Sequence, residues 1–330
     1  MFQPLPVQIR ILPITLALAV AGTCAHADES IYTGPDSKSK LSASILGQAW
    51  AVSDSNWTNY LNLKPRRAEI KFIGQTTVKV RLFAMIDPVK NPSPAGDNKV
   101  LSDFGISYDV SSEVELTVGQ FKIATTAENL DSSADLLFPE RALFSRKWGD
   151  FREPGLKAQF KSGALKLRAT LTNGRGTNQD DVTGQKDLSA RIDYTLSEGV
   201  NLGAFTTAGD MKYNDKGRWG AGVGYQLSGV RALFEYVKAN DFGLVTSGWG
   251  LGLGYMLDDS WQPVARATQY NNGTFTASDY GFGLNYYFAK TLKIGAAYEI
   301  LENSTGNYGA PIESSGGKGQ LLTLVFQAAL

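Results

Sequence analysis

From Gly155 the chain alternates apolar and polar side chains with a period of two: Leu156, Ala158 and Phe160 on one face, Lys157, Gln159 and Lys161 on the other. After Ser162-Gly163 the pattern resumes, with Leu165, Leu167, Ala169 and Leu171 opposite Lys166, Arg168 and Thr170. Leu188, Ala190, Ile192, Tyr194 and Leu196 then stand opposite Ser189, Arg191 and Asp193. Successive side chains of a strand point to opposite faces, whereas a helix repeats near 3.6 residues, so these segments read as strands with one oily and one polar face. The 35 glycines and the plentiful Tyr and Phe point the same way, to an all-β chain.

Alternation alone fits a soluble sandwich as well as a membrane sheet. Connection lengths separate the two. Short turns are expected near Gly74-Gln75, Ser111-Ser112, Ser162-Gly163, Ser197-Gly199, Ser228-Gly229, Asp258-Ser260 and Ala289-Lys290. Between them lie longer links near 54–65, 88–98, 123–150, 173–186, 210–217, 240–247, 271–277 and 303–317. Strict alternation of short turns and long loops is the layout of an outer-membrane β-barrel. The segments number about 16, and an even count returns both termini to the periplasmic side. The expectation is therefore a transmembrane antiparallel β-barrel over 41–330, preceded by a short lead-in at 28–40. Lipid permits no open sheet edge, because unpaired backbone groups in hydrocarbon cost several kcal/mol each. A closed ring of this strand number is too wide for side chains to fill, so it encloses water unless something plugs it.

Residues 1–27 read as an export signal: Arg10 is the only charge, Ile11 to Ala21 is apolar, and Ala25-His26-Ala27 fits the cleavage rule. The apolar run is too short to span a bilayer as a helix, and no later segment approaches that length. Cys24 after Thr23 is a poor lipidation site. Cleavage after Ala27 leaves 303 of 330 residues and removes the only Cys and the only His. Cys- or His-based metal sites, disulfides, Cys nucleophiles and Ser-His pairs are then excluded, which argues against an enzyme and against a metal or other cofactor. Without Arg10 the balance is 31 basic against 32 acidic residues, a net charge of −1, and gives no general attraction to nucleic acid. The expected partners are outer-membrane lipid outside and small hydrophilic solutes or anions within.

Trp219, Tyr225, Trp249, Tyr255, Trp261, Tyr280, Tyr286 and Tyr298 fall near strand ends, where interfacial girdles would place them. Gly220, Gly222, Gly224 and Gly250, Gly252, Gly254 recur at every second position opposite those aromatics, as small residues on an inner wall would. They lack the spacing and following helix of a nucleotide-binding loop. Asp180-Asp181 could hold calcium, although a solvated loop is the simpler reading.

The third long link, 123–150, is longer than a passive connection needs and carries Glu128, Asp131, Asp135, Glu140 and Arg141, with Arg146 and Lys147. Its apolar run Leu136-Leu137-Phe138-Pro139 would rather pack on a wall than meet water. It is expected to fold into the barrel and narrow it, with these charges at the constriction, where a low-dielectric wall focuses their fields.

Gly119-Gln120-Phe121-Lys122, the stretch from Ala134 through Leu136-Leu137-Phe138-Pro139-Glu140-Arg141 to Leu143, Gly155-Leu156-Lys157-Ala158-Gln159-Phe160 and Thr172-Asn173-Gly174-Arg175-Gly176 resemble the phosphate-selective porin O/P family, most closely over 113–196. The resemblance implies a 16-stranded trimeric porin whose third loop folds inward and whose lumen carries anion-attracting Arg and Lys. One departure is the C-terminus, Leu330, where such barrels end in an aromatic residue; Phe326 stands four residues earlier.

Sorting charges by face puts Lys71, Lys79, Arg81, Lys157, Lys161, Lys166, Arg168, Arg191, Arg231, Arg266 and Lys293 in the lumen, against Glu69, Asp103, Asp109, Glu113, Glu115, Asp193, Glu235, Asp279 and Glu299. The bases proposed to attract anions are Lys79, Arg81, Lys157, Lys161, Lys166, Arg168, Arg191 and Arg266. The neighbouring segments 155–161 and 164–172 carry four bases and no acid, so either a one-sided strip favours anions or a transverse field with acids opposite makes a general pore. The alternative function is a transporter specific for a sugar or hydrophobic compound, with a more occluded lumen lined by side chains such as Leu46 and Trp50.

Overall fold

A computed structural model describes residues 29–34, 39–55, 61–90, 99–149, 151–182, 184–209, 216–307 and 310–330. The expected leader lies outside the described residues. The strands are β1 (Glu29–Thr33), β2 (Lys40–Asp54), β3 (Leu61–Gln75), β4 (Val80–Ile86), β5 (Leu101–Asp109), β6 (Val114–Lys122), β7 (Arg152–Ser162), β8 (Leu165–Thr172) and β9 (Asp187–Ser197). They continue with β10 (Val200–Ala208), β11 (Lys216–Leu227), β12 (Val230–Asp241), β13 (Leu244–Tyr255), β14 (Trp261–Asn271), β15 (Thr276–Ala289), β16 (Leu292–Asn307) and β17 (Ala310–Ala329). From β2 to β17 each strand pairs antiparallel with the next, and β17 returns to β2, from Leu321 opposite Asp54 to Ala329 opposite Leu46. The result is a closed barrel of sixteen strands.

The seam runs to the C-terminus, where the Leu330 amide donates to Ile45 O and the Ile45 amide donates to Leu330 O, both at 2.9 Å. Beyond it β1 takes the free edge of β2, with Glu29 opposite Ala43 and Thr33 opposite Lys40. The stretch expected as a lead-in thus contains a strand that caps an otherwise open edge.

The burial pattern is the inverse of a soluble protein's. Phe104, Ile106 and Tyr108 on β5, Leu167 and Leu171 on β8, and Leu188, Ile192 and Tyr194 on β9 are exposed at alternate positions on the outer face. Gln48, Arg67, Arg191, Glu235, Arg266, Asp279 and Glu299 are buried inside. No helix of the described residues is long and apolar enough to cross a membrane; the strands cross, and closure pairs the backbone groups that lipid cannot satisfy.

Aromatics pair across neighbouring strands on the outer face, most densely at the short-turn end. Trp219, near the long-loop end of β11, stacks on Tyr236 (5.6 Å), and Phe234 and Trp249 meet in the middle of their strands (6.4 Å). Trp261, Tyr286 and Phe288 stack in series at the short-turn end, with centroids 4.5 and 4.7 Å apart. Amphipathic rings suit the two interfaces.

The seven short turns fall where the sequence places them, but the long links do not all stay long. The link expected at 240–247 is the two-residue turn Phe242-Gly243, with φ of 58° and 80°. Two successive positive φ values make the tight turn whose twist matches a hairpin; Asn240 and Asp241, which read as loop residues, continue the strand instead. At 303–317 the hairpin likewise continues, with Ser304 opposite Glu313 beyond an irregularity at Asn303. Ser228-Gly229 (φ 51° and 80°) is a second turn of the tight kind. Gly229→Val is expected to cost about 1–2 kcal/mol, the penalty of a side chain in left-handed backbone, seen as a lower melting temperature of the folded form on gel electrophoresis.

Candidate functional site

The chain between β6 and β7 folds into α1 (Ala127–Leu130), a 3-10 turn (Ser133–Asp135) and α2 (Leu143–Trp148). The amides of Ala127 and Glu128 at the start of α1 donate to the Glu235 carboxylate of β12, at 2.6 and 3.2 Å. The Ala142 amide, before α2, donates to Glu128 Oε2 at 3.0 Å. Carboxylates at helix starts and Arg146 and Lys147 in the last turn of α2 complement the local dipoles. Burial raises the Glu128 carboxyl above its ordinary value, against the pull of Arg266 and Arg141.

Inner side chains from around the barrel hold this loop by its carbonyls. Arg191 donates to Thr125 O (2.6 Å), Gln327 to Ala134 O (3.1 Å), Lys293 to Leu136 O (3.1 Å), Asn285 to Leu137 O (3.0 Å) and Arg266 to Glu140 O (2.6 Å). Lys122 reaches Asn129 O and Asp131 O, and Arg231 bonds Asp135 O and Asp131 Oδ2. The apolar side is equally engaged: Ala142, Leu143, Phe144 and Trp148 form one buried cluster with Phe205, Val237, Ala239, Tyr270 and Ala277 of the wall.

Glu140 is the densest electrostatic point. On β3 the register shifts between Gln48/Arg67 and Ala49/Pro65, leaving Arg66 as the extra residue of a bulge. A bulge re-aims side chains, and here Arg66 and Arg67 both reach Glu140, Arg67 at 2.9 Å with 4% of its side chain exposed. Burial by itself would raise the Glu140 carboxyl; Arg67, Arg66, Arg146 and Arg141 outweigh it and hold the group well below its usual range.

The bases named from the sequence fall into different groups. Lys79 sits exposed in the turn between β3 and β4. Arg81 is bound to Asp109 (2.9 Å) and Glu115. Lys157 lies 3.7 Å from Glu115. Arg191 pairs with Asp193 (2.6 Å) and lies 3.7 Å from Glu235, and Arg266 pairs with Asp279 (2.7 Å) and Glu299; both are buried against the third loop. Lys161, Lys166 and Arg168 remain, and among the described residues none of the three forms an ion pair. Lys161 stands opposite Lys166, and Arg168 stands between Gln159, to which it donates (3.2 Å), and Arg191.

Of the loop charges, Glu140 and Arg141 are buried, Arg141 donating to Glu128 O (3.1 Å) and Asp131 O (2.8 Å). Glu128 and Asp135 are half-buried, and Asp131 pairs with Arg231 at 2.7 Å. Residues missed by the sequence reading include Arg66 and Arg67: the link was expected to run to 65, and two adjacent charges do not fit a period of two. That misfit is itself the mark of a bulge.

The family model for phosphate-selective porin O and P matches residues 53–228. No curated protein matches the chain. Among solved structures, the anion-selective porin from Comamonas acidovorans superposes with a TM-score of 0.67 at 11% identity, covering 89% of this chain and 100% of that one. OmpT of Vibrio cholerae in its trimer form gives 0.65 at 11%, covering 89% and 100%, and the DcaP channel of Acinetobacter baumannii gives 0.62 at 13%, covering 91% and 99%. At these identities the likeness is one of fold. The match of the family model over more than half of the sequence, on a closed barrel whose wall is oily outside and charged within, places this chain in the phosphate-selective porin O and P family as an outer-membrane channel protein.

Proposed function

We propose that the protein conducts small hydrophilic solutes by passive diffusion with a preference for anions of the phosphate class, through a lumen that its third loop narrows. The observation carrying this reading is the trio Lys161, Lys166 and Arg168, none of which is ion-paired among the described residues: the nearby acids Glu115 and Asp193, the latter across from Lys166, are bonded to Arg81, Lys157 and Arg191, so the strip holds more bases than acids. A guanidinium offers a forked contact to phosphate or carboxylate oxygens, and the two ammonium groups act as point charges beside it. The chain is exported by cleavage after Ala27 and assembles as a homotrimer, a reading supported by the family and by the trimer form of OmpT.

Reversal potentials of the purified protein in planar bilayers under a KCl gradient test the preference. Anion preference is expected at about 0.1 M salt and should fade towards 1 M, where the screening length falls from about 10 Å to about 3 Å. Cation preference at low salt sinks the reading. A transporter for a sugar or hydrophobic compound finds no comparable support: Leu46 packs on Ala134 and Ala329, and Trp50 on Val52 and Val325, so neither offers a stacking surface.

A further inference from the structure

Gly248, Gly250, Gly252 and Gly254 on β13 take no part in the selectivity argument. Their spacing puts all four on the inner face, and Gly281 of β15 shares that face two strands on. None has a positive φ, so the backbone does not demand glycine there. A glycine inside a strand ordinarily weakens it and often marks a close approach by another segment.

The approach is visible at four of the five. A Cβ on Gly250 would lie 2.3 Å from Phe144 Cε1, and one on Gly248 2.8 Å from Phe144 Cβ, 2.9 Å from Trp148 Cζ3 and 2.8 Å from Gln269 O of the adjacent strand. On Gly254 it would meet Leu137 Cδ2 at 2.8 Å, and on Gly281 Phe138 Cε1 at 2.7 Å. At Gly252 the nearest atom, Leu137 Cδ1, is at 3.9 Å, an ordinary contact. The wall is therefore hollowed where Leu137, Phe138, Phe144 and Trp148 of the third loop press into it.

We propose that Gly248, Gly250, Gly254 and Gly281 are the seat of the third loop, positioning residues that set how far α2 stands out from the wall and hence the cross-section of the channel. Long polar side chains such as Lys293 and Arg231 fix where the loop lies along the wall but can follow it outward. A ring against a bare backbone cannot: interiors packed to crystal density leave no slack for an added methyl group. Filling the seat lifts α2 towards the axis by about 1 Å or more, the overlap a side chain at 250 must relieve.

The proposal rests on the channel reading, and the test separates the two. Single-channel conductance and the exclusion limit for polyethylene glycols are measured for Gly250→Val, Gly252→Ala, Phe144→Trp and the double variant Phe144→Ala with Gly250→Val, each checked for folding by its heat-modifiable migration. Gly250→Val is expected to lower unit conductance by roughly a quarter or more, since a constriction of molecular width responds steeply to displacement. Phe144→Trp, which leaves the barrel untouched, should lower it as well. Gly252→Ala should match the parent, and Phe144→Ala should restore the Gly250→Val channel, or its folding if that variant fails to assemble, because the two changes exchange volume across one contact. Folded Gly250→Val or Phe144→Trp with parental conductance, or a double variant no better than Gly250→Val, overturns the seat. A parent protein that conducts nothing overturns the channel instead.

Discussion

Replacing Lys161, Lys166 and Arg168 together by glutamate is expected to reverse the sign of the reversal potential in a KCl gradient, turning the proposed anion preference into a cation preference. The three positions lie on adjoining strands, with Lys161 opposite Lys166 and Arg168 two residues along. Each substitution shifts the strip by two charges, and the arginines that flank it or face it are already ion-paired. Arg81 and Arg191 are held by Asp109, Glu115 and Asp193, and Arg266 by Asp279 and Glu299. At about 4 Å, near an aqueous surface, a unit charge is worth up to about 4 kcal/mol to a passing ion, more than enough to invert a preference. The same replacement at Lys79, exposed in its turn, should change little. A triple variant that keeps the parental potential would mean that selectivity resides elsewhere.

Glu140→Gln is expected to loosen the third loop more than any other single change in it. Removing one partner of a buried ion pair leaves the other charge stranded, at a cost of about 3–5 kcal/mol, and here Arg66 and Arg67 both lose Glu140, Arg67 keeping the more distant Glu69 at 3.8 Å. Noisier single-channel currents and protease cleavage within 123–150 in the folded barrel are the readouts; a quiet, resistant channel would count against the latch. The pH dependence follows from the sign of the shift. Because the folded Glu140 carboxyl titrates well below its ordinary value of 4.5, its stabilisation is complete above the unfolded value and vanishes only as pH falls through the depressed one. Glu128 runs the opposite way: burial raises it, so the native state loses stability as pH climbs from the unfolded value through the raised one. Glu128→Gln should therefore be neutral or stabilising at pH 7, since an amide oxygen still accepts from the Ala142 amide, while Glu140→Gln is destabilising at the same pH. Equal melting shifts of the same sign in both variants would contradict this division.

Much of the barrel was legible because its signals are local. Alternation along 155–196 assigned Leu167, Ile192 and Tyr194 to the lipid face and Arg168 and Arg191 to the lumen, and the burial pattern agrees. Turn residues such as Ser228-Gly229 marked the short connections. The errors came where one composition serves two structures: Asn240-Asp241-Phe242-Gly243 suits a loop or a tight hairpin equally, and only pairing with β13 decides. A bulge at Arg66 was hidden for a related reason, since an extra residue in one strand is defined by its partner strand.

The sequence by itself determined how many strands close and, along regular stretches such as 155–196, which face of a strand is oily, because side-chain direction in a strand without a bulge follows parity along the chain. Which of those inward charges are available to a solute was decided only by the tertiary structure. Arg191 and Arg266 read from the sequence like Lys161 and Lys166, yet the first two are taken up by the third loop and by acids of the wall, while the latter two are outside the ion pairs among the described residues. Availability is a property of partners brought together from distant parts of the chain, and no periodicity records it.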